Sequence, residues 1–177
     1  MEWNIILTLF IGGAITKFFD EISHFLKDKQ EKIKIKRDKD IQLYNEFKND
    51  LKSDSDIIYF LKEDTFGENI RNELLDELFY IQNKWEKLEY KYFNKDIEQL
   101  KNDFLFSLKK LNNIISKHTF SVCHDNTRKT VRIDKENKNI SFDKKIKPII
   151  DLLDKTATDT YNKYEKFILK SKELLYK

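Results

Sequence analysis

Apolar residues recur along most of this chain at steps of three and four, but its opening breaks that rule. From Trp3 to Thr16 no side chain is charged, and Ile5, Ile6, Leu7, Leu9, Phe10, Ile11 and Ile15 ring the axis of any helix the segment forms; Lys17, Phe18 and Phe19 follow. At about 1.5 Å per residue the run through Phe19 reaches roughly 25 Å, against a bilayer hydrocarbon core of about 30 Å. A surface helix would show a polar face, and this run has none. A cleavable signal would open on positive charge and close on small residues. A core helix is also apolar all round, but is normally central in a chain. Trp3 suits a membrane interface. The expectation is a single transmembrane anchor over residues 1–19, carried by Trp3, Ile5, Leu9, Phe10, Ile15, Phe18 and Phe19. A buried core helix or an interfacial helix are the alternatives.

Beyond the run the pattern thins and then sharpens. Residues 20–40 are sparsely apolar and rich in cations: Lys27, Lys29, Lys32, Lys34, Lys36, Arg37 and Lys39. The positive-inside rule places this side in the cytoplasm and the N-terminus outside. Lys27, Lys29, Lys32, Lys34, Lys36 and Arg37 are then candidates for contact with anionic headgroups, at about 1 kcal/mol each near the surface. Asp28, Glu31 and Asp38 dilute the patch. From Ile41 the helical spacing is clear, through Tyr44, Phe47 and Leu51, and the stretch KSDSD at 52–56 ends it.

Residues 41–177 read as a cytoplasmic helical body, an antiparallel bundle or coiled coil of amphipathic helices. A short apolar helix follows Asp56. Thr65 and Glu68 are spaced as a capping box, opening a helix with the stripe Ile70, Leu74, Leu78, Ile81, Trp85, Leu88 and Tyr92. Near Asn94 the stripe changes phase, which predicts a turn capped by Asn94. It resumes as Ile97, Leu100, Phe104, Leu108, Leu111 and Ile115. The last helix is expected to start near 144–148, with Pro148 in its first turn, and to carry Ile149, Leu153, Ala157, Tyr161, Tyr164, Ile168 and Leu175. Between these two helices, Phe120/Val122 and Val131/Ile133 alternate with polar residues around HDNT. That predicts a β-hairpin insertion at about 118–143, with a third short strand at 140–142. The alternative there is a loop.

Composition narrows the chemistry. The chain holds 3 glycines and 1 proline, far below usual usage of about 7% and 5%. Gly12 and Gly13 sit in the opening run, so Gly67 alone is left, and no glycine-rich phosphate loop can be built. Gly12-Gly13-Ala14 is a small-residue patch that would let two membrane helices approach closely. The single cysteine, Cys123, excludes an internal disulfide. His118, Cys123, His124 and Asp125 are near in sequence, but adjacent strand residues point to opposite faces, which disfavours zinc and a Cys–His nucleophile alike. Glu21 and His24 form one ExxH; a di-iron bundle needs two.

Charge is unevenly spread: residues 53–93 carry 5 basic and 10 acidic side chains, residues 128–147 carry 8 basic and 3 acidic ones. Arg128, Lys129 and Arg132 are therefore the candidate partner surface. Nucleic acid is disfavoured as that partner, because residues 128–141 offer no aromatic to stack on a base. No catalytic, cofactor or metal site is expected. The reading is a non-enzymatic, single-pass membrane protein that binds or positions a protein partner at the cytoplasmic face, with a homo-oligomer as one form. Its rivals are an oligomerising, membrane-perturbing effector and a membrane-tethered nucleic-acid binder.

Overall fold

The computed structural model describes the backbone of residues 2–63, 65–122, 125–131 and 140–177, and the side chains of 21–63, 65–122, 125–131 and 146–177. The chain is mainly helical, with one small antiparallel sheet. It divides into two units, residues 1–39 and 40–177.

The first unit is helical over its described residues, all of which belong to α1, Glu2–Asp50. Every described side chain from Glu21 to Lys39 is exposed. That includes Phe25 at 67%, Leu26 at 51%, Ile33 at 58% and Ile35 at 59%. The anchor residues Trp3, Ile5, Leu9, Phe10, Ile15, Phe18 and Phe19 lie outside the described side chains. Among the described residues no helix is long and apolar enough to cross a membrane, so the structure lends the expected transmembrane helix no support.

The second unit is the body. It comprises the end of α1, α2 (Asp56–Glu63), β1 (Ile70–Arg71), α3 (Asn72–Trp85), a 3-10 turn at Leu88–Tyr90, α4 (Lys95–His118), β2 (Phe120–Val122), β3 (Asp125–Thr130) and α5 (Ile140–Leu175). Its core closes on Phe47. That ring packs edge-on against Trp85 of α3 at 4.8 Å, Phe104 of α4 at 5.8 Å and Phe167 of α5 at 4.8 Å. Tyr44 and Tyr164 tie α1 to α5 at both sides of this cluster, donating to the carbonyls of Ile168 at 3.2 Å and Leu51 at 3.1 Å. Small side chains let α4 and α5 approach: Ser107 Oγ meets Thr160 Oγ1 at 3.0 Å, and Ala157 is buried beside them in sequence.

The stripes at 97–115 and 153–175 are core, and Asn94 caps α4 by accepting from the amides of Asp96 at 2.9 Å and Ile97 at 3.2 Å. Four expectations are corrected. Thr65 and Glu68 do not open a helix. Asp154 of α5 takes the Thr65 hydroxyl at 2.9 Å and the Phe66 amide at 2.8 Å, so Thr65 is bound in a turn and α3 begins at Asn72. The stripe through Leu88 and Tyr92 is not one helix: α3 stops at Trp85 and Leu88 is 87% exposed. Pro148 lies inside α5, which starts at Ile140; a proline forfeits one helical bond there, and buried Ile146 holds the turn before it. The third strand is not 140–142, which is helical, but β1. The sheet order is β1-β3-β2, with Ile70 opposite Lys129 and Arg71 opposite Arg128.

Truncating Phe47 leaves a ring-sized void at the meeting of four helical segments. Phe47→Ala is expected to cost about 3–5 kcal/mol of unfolding free energy, read by chemical denaturation of the purified chain. A loss under about 1 kcal/mol would mean the site collapses without penalty.

Candidate interaction site

One surface feature of the body is the segment between α3 and α4. The spacing of Leu88 and Tyr92 predicts helix through residues 86–92, yet α3 ends at Trp85 and buried polar groups fix the residues that follow one by one. The carboxylate of Asp40, only 2% exposed, accepts from the amides of Phe93 at 2.7 Å and Asn94 at 2.8 Å. Glu98 accepts from the Tyr92 amide at 2.9 Å. Lys101, also 2% exposed, donates to the Tyr90 carbonyl at 2.8 Å and pairs with Glu98 at 3.0 Å. Burial pulls the Lys101 amine below its ordinary pKa, and Glu98 works against that pull. The Tyr90 ring lies on Trp85 at 4.8 Å, with the Lys84 ammonium 5.2 Å from the Tyr90 centroid. Lys84 is itself held by Glu46 at 2.9 Å and Asp50 at 2.7 Å. Burial opposes its charge, but the two carboxylates outweigh burial and hold its proton more tightly than usual.

This framework shapes a groove of about 310 Å³ between the pinned segment and α4, lined by Trp85, Leu88, Lys91, Lys101, Leu105 and Phe106 among others. Leu88 at 87% and Phe106 at 71% stand exposed on it. Lys87 and Lys91 are exposed too, and among the described residues neither has a carboxylate at ion-pair distance. Lys109 is paired with Glu86 at 3.2 Å. The groove thus presents apolar contact area, and its charged lining is Lys87, Lys91, Lys101 and Lys109 against Glu86 and Glu98. Ordered loops that hold exposed apolar side chains lower the entropy lost when something docks on them.

The residues singled out from sequence are placed as follows. Lys27, Lys29, Lys32, Lys34, Lys36 and Arg37 are exposed on α1. Arg128 and Lys129 lie on β3, the central strand. Like charges opposite one another are unfavourable. Here Arg71 pairs with Asp56 at 2.6 Å and Arg128 with Asp125 at 3.6 Å, so part of that strand's charge is met within the chain. Arg132, Cys123 and His124 lie outside the described residues. His118 closes α4, and no three metal-ligating side chains gather among the described residues. The groove itself escaped the sequence reading. Leu88 fitted a helical stripe, and the only hint was Phe106, an apolar residue out of phase with Phe104 and Leu108.

Comparison with protein-family models, with curated proteins and with solved structures finds no match for this chain.

Tyr92 offers a test of the pinned segment. Its hydroxyl is buried and has no hydrogen-bond partner among the described residues. Burial, then the carboxylates of Asp40 and Glu98, push the phenol well above its ordinary pKa. The fold therefore keeps a proton that the unfolded chain releases near pH 10, so this contribution to stability is full below that pH and lost as pH rises above it. Tyr92→Phe is expected to leave stability at pH 7 unchanged or raise it by about 1 kcal/mol. It should also flatten the loss above pH 10, seen in denaturation midpoints across pH. An unchanged alkaline slope would assign that loss to other groups.

Proposed function

We propose that this chain is a non-enzymatic, single-pass membrane protein that holds a partner at the cytoplasmic face. The observation supporting this reading is the exposure of every described side chain from Glu21 to Lys39. A 19-residue stretch of helix that buries nothing of its own chain, with five apolar side chains among those exposed (Ile22, Phe25, Leu26, Ile33 and Ile35), does no work for the body's core. It suits a connector between two environments. The run from Trp3 to Thr16 supplies the reason for a second environment, since it has no charge to keep it in water. Lys27, Lys29, Lys32, Lys34, Lys36 and Arg37 then face headgroups, and the body presents the groove and β3 to a partner.

The exposed Ile22, Leu26 and Ile33, at steps of four and seven, also favour a second reading in which α1 associates with its own kind and perturbs the bilayer.

The full-length chain is expected to stay with membranes through an alkaline carbonate wash. Leu9→Lys with Phe10→Lys should release it, since each central lysine costs insertion about 2.5–3.5 kcal/mol. A wild-type chain that remains in the supernatant without detergent would sink the proposal. Dye-loaded vesicles separate the two readings: a tether leaves them sealed, an assembling effector empties them.

A further inference from the structure

We infer that the groove between the pinned segment and α4 takes the acidic face of α3 from a second copy of this chain. The inference concerns the body alone and does not rest on the anchor.

Glu73, Asp76, Glu77 and Tyr80 are all exposed. At steps of three and four on α3 they share one face. Among the described residues none of the three carboxylates has a cation at ion-pair distance. Tyr80 stands 56% exposed among them. The face is thus three unmet negative charges around one aromatic. The groove is the counterpart: unmet Lys87 and Lys91 around Leu88 and Phe106. Each patch alone leaves apolar area and charge in water. Together, Tyr80 would seat between Leu88 and Phe106 while Glu73 and Glu77 face the two lysines. Aromatic anchors in a pocket with paired charges at the rim are the usual build of a docking helix in a groove.

The two patches differ, so a contact between copies is either exchanged about a two-fold axis or runs head to tail. In both cases one arithmetic of charge holds, and it gives the test. Lys87→Glu with Lys91→Glu makes the groove acidic; Glu73→Lys with Glu77→Lys makes the face basic. All four residues are exposed, so the fold should keep its melting transition. Sedimentation velocity on the full chain in detergent micelles is expected to show self-association of the wild type that weakens with salt. Each double variant alone should associate at least about tenfold more weakly. An equimolar mixture of the two should recover association, because each reversed patch then finds its complement on the other variant.

Recovery in the mixture supports the inference and cannot come from misfolding. A wild type that stays monomeric, variants that associate as well as the wild type, or a mixture that fails to recover would each overturn it. So would loss of binding to vesicles of anionic phosphatidylserine in the lysine variant with association intact, which would assign the groove to lipid.

Discussion

One ring holds the body together. Phe47 is fully buried and touches aromatic rings from α3, α4 and α5. Burying such a side chain is worth about 1.5–3 kcal/mol, and edge-to-face aromatic pairs add about 0.5–1.5 kcal/mol each. The consequence is geometric as much as energetic. With few glycines and one proline, the chain has little turn chemistry to fix how its helices meet. An interlocked cluster of Phe47, Trp85, Phe104 and Phe167 does that job, since edge-on rings tolerate little sliding.

Buried polar groups then decide what the core alone leaves open. Hydrophobic burial is non-directional, and residues 86–94 have only Tyr90 and Tyr92 to contribute. Asp40, Glu98 and Lys101 supply direction: each accepts from or donates to a named backbone group of that segment. Burying such charges is costly, and the same residues in water would cost nothing. The arrangement therefore adds less to stability than an apolar packing of equal volume would. What it adds is a fixed path for the chain, and that path is what leaves Leu88 pointing at solvent. The first unit shows the opposite case. Its side chains from Glu21 to Lys39 are all exposed, so none is a buried polar group of that kind.

How much of this was legible in the sequence depended on the range of the interaction involved. Local signals read well. Asn94 caps α4 because its own side chain reaches two and three residues on, and the stripe from Ile97 to Ile115 is core because its spacing matches the helix it lies on. Long-range competition did not read. Thr65 and Glu68 have the spacing of a capping box, but Asp154, 89 residues from Thr65, takes the hydroxyl first. Arg71 was a charge in a helical stretch until β3 gave its backbone a strand partner. Leu88 kept helical phase with Trp85, yet α3 ends before it because residues 90–94 are claimed by Asp40, Lys101 and Glu98. The groove was invisible for the same reason: its two walls are brought together by side chains from α1 and α4, and no short window contains them all.

The size of the groove sets the terms on which it can act. A cavity of about 310 Å³ admits one anchoring side chain and its neighbours, whereas a stable protein interface engages about 20–30 residues a side. A contact of that scale is weak between molecules free in three dimensions. Confinement changes the balance without adding a single interaction, because tethering two bodies to one surface raises their effective concentration. If the opening run is the tether, the cluster around Phe47 keeps the body rigid, the buried polar framework keeps the groove shaped, and the membrane supplies the proximity that a small patch lacks. The three contributions are separable, since the first two belong to residues 40–177 and the third to the run that begins at Trp3.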